Sequence, residues 1–338
     1  MPNAKIKRID NVIRRDPARR GIIASEAEYG PLCAGHLGEA ARELAQSARF
    51  VGIVTGFYVP HGELPAAETD GLLGALMLAH ALRAIGIEVT LITDEPCAGA
   101  LRAAAEFAAF PIGHVHAAPL GDDAWAQRFL SKHAGRLTHL VAIERPGPSH
   151  CEASISMQPS GPAAETALER FRTMLDPDQH DRHYNMRGTA IDAHTAPLHR
   201  LFEELPSLRP AAKTIGIGDG GNEIGMGCVP WGELERRLEG EHSARIICRI
   251  ATDWNIIAGT TNWGGCALAA AVLLHRDRVE VLRDWDGTQQ LRMLEHIVEH
   301  GPAVDGVTAR REATVDGLPF PTYIQAWESI REIVGFEP

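Results

Sequence analysis

The chain predicts an α/β fold: a mainly parallel sheet flanked by helices on both faces, with a long irregular insertion over its active edge. Three observations carry that expectation. Short apolar runs with strand character alternate with Ala- and Leu-rich runs of helical spacing through the first half of the chain, the pattern of successive βαβ units. A glycine-rich run, Gly216 to Gly227, follows directly on a short apolar stretch at 213–217, where an α/β sheet delivers its loops. Between 144 and 195 periodicity fades, and Pro, Gly, Ser, His and charged residues fill a segment too long for an ordinary connector.

Taken in order, residues 1–47 read as a helical lead-in broken at Gly30-Pro31, and 48–338 as one α/β domain, since no Ser/Gly linker or internal repeat divides them. Strands are expected at 49–56, 87–93, 112–117, 137–143, 213–217 and 244–251. Helices are expected at 70–85, 99–109, 123–135, 263–274 and 322–333.

Composition excludes several classes of function. The 338 residues carry a formal net charge of -11, which disfavours a general nucleic-acid binder because phosphate neutralisation needs a concentrated basic surface. The basic residues that do cluster, from Lys5 to Arg20, are interrupted by Asp10 and Asp16 and read as a solvated helix face. No apolar run reaches the roughly 18 to 20 residues that span a bilayer, so no membrane partner is expected. The six cysteines contain no C-x-x-C pair and fit reduced thiols in a cytoplasm. Cys151 and Cys228 could be nucleophiles, but buried cysteines are more commonly small hydrophobes, and neither enters the mechanism.

The glycine run, Gly216-Ile217-Gly218-Asp219-Gly220-Gly221-Asn222-Glu223-Ile224-Gly225-Met226-Gly227, is where chemistry is expected. Its first six residues satisfy G-x-G-x-x-G, but a dinucleotide site needs a helix opening at the third glycine, and Asp219 would repel phosphate there. A plain tight connection and an anion-binding nest of backbone N–H groups are the other readings. Acidic residues recur at or beyond expected strand ends: Glu68 with Asp70, Glu144, Asp219 with Glu223, and Asp253. Carboxylates gathered on one sheet edge repel unless a cation neutralises them, so the cluster predicts a divalent metal, Mg²⁺ or Mn²⁺ for oxygen ligands. Asp70 and Asp253 could equally be helix caps.

Arg145, in Glu144-Arg145-Pro146-Gly147, and Arg187, in Asn185-Met186-Arg187-Gly188, stand where neighbouring proline or glycine fixes the backbone, and could clamp a carboxylate bidentately. Asn262 precedes an Ala-rich helix and could place a hydrogen bond, or the helix N-terminal amides, against an anion; a simple cap would also explain it. Of His61, His150, His183 and His194, all near candidate loops, His150 is taken as the proton carrier.

Together Glu68-Thr69-Asp70-Gly71, Glu144-Arg145-Pro146-Gly147, Asn185-Met186-Arg187-Gly188, Gly216 to Gly227 and Asn262-Trp263-Gly264-Gly265 resemble the D-glutamate cyclase family, over a span from about Phe50 to Gly335. The resemblance implies cyclisation of D-glutamate to 5-oxo-D-proline with loss of water, and archaeal relatives suggest a divalent metal held by acidic residues. The mammalian cyclase joins this domain to a separate N-terminal hydro-lyase-like domain, for which the present chain has no room.

On that basis Glu68, Asp70, Asp219 and Glu223 are expected to hold the metal, with Asp219 also catalytic, and Glu144 or His150 to move protons. Arg145 and Arg187 would orient the α-carboxylate, while Asn222, Asn262 and the amides of Gly218, Gly220 and Gly221 would steady oxyanion charge. The expected partners are a small carboxylate substrate and further copies of the chain. A metal-dependent phosphohydrolase and a non-catalytic binder of an anionic metabolite are the rivals.

Overall fold

The computed structural model describes residues 2–17, 22–62, 64–158 and 162–337, so Arg19 and Arg20 of the basic stretch lie outside the described residues. Six strands form the main sheet: β1 (Phe50–Thr55), β4 (Glu88–Asp94), β5 (Val115–Ala118), β6 (His139–Ile143), β7 (Lys213–Gly218) and β8 (Trp254–Ile257). A short antiparallel ribbon, β2 (Tyr58–Val59) with β3 (Ala66–Ala67), lies in the connection that leaves β1. The sheet order is β5-β4-β1-β6-β7-β8 and every pairing in it is parallel.

The central strands β1 and β6 are buried along their whole length because both faces are covered. Side chains alternate between two cores, as the two-residue period of a strand demands. Val51 and Ile53 of β1, with Val141 and Ile143 of β6, face one core, which also holds the helices Leu72–Ala84 and Thr261–Arg276. Phe50 and Val54, with Leu140 and Ala142, face the other, shared with the helices Trp125–His133 and Arg200–Leu208. Helix Thr261–Arg276 is buried on every side as far as Leu273, and it crosses helix Leu72–Ala84 at a glycine pair. A Cβ on Gly265 would stand 2.7 Å from the Gly74 Cα, so only glycine permits this approach. Helix Pro2–Ile13 joins the first core through Ile6, Ile9 and Ile13.

Two expectations need correction. The stretch 244–251 is not a strand: it holds the short helix Ser243–Ile246 and then isolated bridges from Cys248 and Ala251 to neighbouring loops, while the last strand lies beyond it at β8. An apolar run of that length suits a buried loop as well as a strand, and periodicity alone does not separate them. The segment 144–195 is less irregular than expected, with helices Glu152–Ser156 and Pro162–Met174 inside it. Phe171, on the second of these, is fully buried against Trp231, edge to face at 5.3 Å.

Candidate active site

The sheet reverses its winding between β1 and β6. From β1 the chain proceeds outward to β4 and β5, then returns to β6 on the other side of β1. The connections leaving the carboxyl ends of these two neighbours therefore diverge and open a crevice, where α/β sheets bind ligands. A cavity of about 400 Å³ lies there, with Phe57 beyond β1 and Glu144 beyond β6 in its wall. Tyr58, Val59 and Leu318 supply apolar surface, and Glu68, Asn185, Asn222 and Asp316 supply polar surface.

Around this crevice six carboxylates are buried: Glu68, Asp70, Glu144, Asp219, Glu223 and Asp316. One oxygen from each of Asp70, Asp219 and Asp316 lies within 4.8 Å of the other two, and the same holds for Glu144, Asp219 and Glu223. Asp219, the first residue after β7, belongs to both groups. Burial raises the Glu144 carboxyl well above the usual carboxylate range, and the charges of Glu223, Glu68, Asp70 and Asp316 push it further. Both effects favour its protonated form. Its Oε2 accepts a hydrogen bond from the Thr261 hydroxyl. Glu144 (φ 50°) and Asp316 (φ 57°) both hold left-handed backbone, a conformation that costs a side-chain-bearing residue energy and that concentrates at functional sites.

Two of these acids are already engaged by the protein's own amides. Glu223 folds back into the glycine run: its Oε1 accepts from Gly220 N–H at 2.7 Å and Asp219 N–H at 3.3 Å, and its Oε2 from Gly221 N–H at 2.8 Å. A nest exists, formed by the N–H groups of Asp219, Gly220 and Gly221 rather than those of Gly218, Gly220 and Gly221, and the Glu223 side chain fills it. A Cβ on Gly218 would lie 2.8 Å from the Glu223 carboxyl carbon, so the strand end must be glycine for this glutamate to fit. Nor is the run a dinucleotide loop, since the next helix opens only at Trp231. Asp70 caps helix Thr261–Arg276 from a distant part of the chain: its Oδ2 accepts from Thr261 N–H at 2.9 Å and its Oδ1 from Asn262 N–H at 2.8 Å. These are orphan donors at the positive end of a long helix, which favours the charged carboxylate.

Three assigned residues turn out to do structural work. Arg145 is not a substrate clamp. Its guanidinium is sealed at 1% exposure, paired with Asp94 at 2.6 Å and donating to the carbonyls of Gly56 and Ala196 at 2.9 and 2.8 Å. It ties the loop after β6 to the ends of β1 and β4. Asn262 is occupied too, its Oδ1 accepting from Gly74 N–H at 2.9 Å and its Nδ2 donating to Thr69 O at 3.3 Å, which locks the two central helices together. His150 is absent from the cavity wall and buried behind it, its Nδ1 2.9 Å from the Ser154 hydroxyl. Asp253 precedes β8 rather than following a strand, and binds Lys213 and Thr214 at the amino-terminal edge of the sheet, away from the crevice.

His150 has a measurable consequence nonetheless. Burial, aided by Arg249, lowers its pKa to about 4, and burial lowers that of His139 to about 4 as well. Each is neutral in the fold, so above the ordinary imidazole value of about 6.5 neither affects stability. As pH falls through that value the unfolded chain takes up protons that the folded chain refuses, and stability is lost down to about pH 4, by about 3 kcal/mol per histidine. Urea midpoints should therefore drop steeply between about pH 6.5 and 4, and His150→Gln should flatten part of that slope.

Arg187 does reach the cavity wall, exposed at its mouth and donating to Val307 O at 2.9 Å. Two contributors, Asp316 and Asp305, escape the sequence reading, and a third, His61, is among the candidate histidines but is passed over there for His150. His61 lines the cavity, and burial with the nearby Arg187 charge lowers its pKa, leaving a neutral imidazole. Asp316 arrives from a loop near the C-terminus, where Asp316-Gly317 is a turn signal that was available in the sequence. Asp305 shapes that loop, its carboxylate accepting from the N–H groups of Val307, Thr308 and Gly317 at 2.9, 2.8 and 2.8 Å. Within the loop, a Cβ on Gly306 would fall 2.1 Å from Glu68 Oε2. Gly306→Ala should displace the far end of a flexible side chain at little cost in stability. Activity should nonetheless fall about tenfold or more, read as kcat/KM beside an unchanged thermal midpoint.

Comparison with known proteins gives two findings. The family model described as D-glutamate cyclase-like, C-terminal, matches residues 9–159 and 174–333. The chain is 32% identical over 353 aligned positions to the human protein named D-glutamate cyclase, mitochondrial, a match covering 94% of this chain and 49% of the human one. The chain thus spans about half the length of the curated relative it matches. Among the described residues, no helix is long and apolar enough to cross a membrane.

Proposed function

The chain belongs to the D-glutamate cyclase-like, C-terminal family, and from that premise we propose that it cyclises D-glutamate to 5-oxo-D-proline with loss of water in the crevice between β1 and β6. The observation that carries the reading is the buried acidic cluster around Asp219, in whose midst burial and neighbouring charge raise the Glu144 carboxyl well above the usual range.

The reaction joins the α-amine to the γ-carboxyl carbon and expels one carboxyl oxygen as water. A carboxylate resists attack and its oxygen leaves poorly, so two protons must reach that oxygen, matching the two that the α-ammonium loses, one before attack and one as the C–N bond forms. Glu144, whose carboxyl its surroundings raise well above the usual range, is suited to deliver one of them, the proton-moving role expected of Glu144 or His150. The neutral imidazole of His61 is suited to accept the proton that the ammonium group loses before attack. The cavity walls hold the two reacting ends together, which for well-oriented pairs reaches effective molarities of about 10⁵ M or more. Arg187 at the mouth offers the substrate a positive charge above an otherwise acidic floor.

The buried all-oxygen donor set of Asp70, Asp219 and Asp316 fits a hard divalent cation such as Mg²⁺ or Mn²⁺. When bound, the cation would polarise the γ-carboxyl and offset negative charge developing there. The six unpaired cysteines support a thiol-reducing compartment for the protein. Phosphoryl chemistry is the weaker reading, because the amides that would cradle phosphate already bind Glu223. The test is to incubate the purified protein with D-glutamate and Mg²⁺ or Mn²⁺ and to follow 5-oxo-D-proline by chiral chromatography, with phosphate release from a phosphomonoester as the control. Phosphate release without 5-oxoproline would overturn the proposal.

A further inference from the structure

We infer that Asn185 and Asn222 form a paired amide that reads the two polar ends of an α-amino acid: Asn185 Nδ2 donates to the α-carboxylate, and Asn222 Oδ1 accepts from the α-amine. This rests on the reading of the cavity as the substrate site.

Both residues line the cavity, and both are buried, at 6% and 1% exposure. The backbone fixes which way each amide faces. Asn185 Oδ1 accepts from the N–H groups of Arg187 and Thr189, both at 3.0 Å, so the Nδ2 is the end left over. Asn222 Nδ2 donates to Tyr184 O at 2.7 Å, so the Oδ1 is the end left over. Turning either amide round would set donor against donor or acceptor against acceptor. Among the described residues neither spare atom has a partner, and buried polar atoms are almost always satisfied, so an unmet donor and an unmet acceptor call for a ligand.

The two amides are neighbours. The bond from Asn222 to Tyr184 O joins the glycine run to the residue preceding Asn185, and a Cβ on Gly220 would meet Met186 Sδ at 2.6 Å and Asn222 Oδ1 at 3.1 Å. The wall thus offers one donor and one acceptor close together. A phosphate, which chiefly accepts, would set its oxygens against Asn222 Oδ1 and the acids beneath. An α-amino acid matches both atoms and leaves its side chain to extend toward Glu144 and Asp219. An amine that donates one N–H to Asn222 is held by it while its lone pair stays available for ring closure.

Calorimetric titration of the full chain, in the presence of Mg²⁺, with D-glutamate, glutarate and 4-aminobutyrate tests this. Glutarate lacks the amine, and 4-aminobutyrate lacks the α-carboxylate. Each should bind at least about tenfold more weakly than D-glutamate. Asn185→Asp keeps both backbone bonds but replaces the donor with an acceptor. It should weaken D-glutamate and glutarate by about tenfold to a hundredfold and leave 4-aminobutyrate within about threefold. Glutarate binding as tightly as D-glutamate overturns the inference, as does unchanged D-glutamate affinity in Asn185→Asp. The ligand series on the unaltered chain decides even if the variant does not fold. Turnover to 5-oxoproline with an unaltered KM in Asn185→Asp would sink the amide pair and leave the cyclase reading standing. Ligand discrimination without any product would sink the cyclase reading and leave the amide pair.

Discussion

Asp219→Asn is expected to lower kcat/KM for D-glutamate cyclisation by about 10³-fold or more while the fold persists. The substitution preserves size and removes one charge. Asp219 is the one acid common to both carboxylate groups, so its loss weakens cation retention and the field around Glu144 at once. With one fewer negative neighbour, Mg²⁺ or Mn²⁺ affinity should also fall, measurable by titration in the absence of substrate. Circular dichroism should be indistinguishable from that of the unaltered chain. Activity within about tenfold of the unaltered chain would remove Asp219 from the proposed chemistry.

Arg145→Leu should carry the largest stability cost of any single change considered. The Arg145–Asp94 pair is 1% exposed on each side, and the guanidinium also satisfies the carbonyls of Gly56 and Ala196. Removing one partner strands the Asp94 charge in a dry interior, at a cost of about 3 to 5 kcal/mol. Replacing both residues with leucine should cost less than the two single changes added together, because no charge is then left alone. Chemical denaturation at pH 7 measures both variants. A loss under about 1 kcal/mol in Arg145→Leu would mean that water reaches the pair.

Much of the sheet was legible because its strands are short apolar runs between amphipathic helices, and β1, β4, β6 and β7 fall where the period predicts. The strand β8 was misplaced because Trp254-Asn255-Ile256-Ile257 is only four residues long, and the longer apolar run before it drew the assignment. The site was legible where acids follow strands directly, as Glu144 follows β6 and Asp219 follows β7. What sequence could not convey is which polar group each acid meets. Glu223 and Asp70 are anionic in the pattern, yet their partners are amides of the same loop for Glu223 and of a distant helix's first turn for Asp70. Arg145 beside Pro146 looks like a clamp until Asp94, 51 residues earlier, is found against it. Asp316 and Asn185 come from loops whose convergence depends on tertiary packing, and no local period marks that.

Helix Pro2–Ile13 lies against helix Phe320–Val334 and is fastened to its last turn by Lys5 Nζ, which donates to Val334 O at 3.2 Å. These two helices therefore close one another like a clasp. A chain shortened by its first thirteen residues would keep every acid of the crevice yet bare the greasy slot that Ile6, Ile9 and Ile13 now fill, and it should be recovered as aggregate rather than as catalyst.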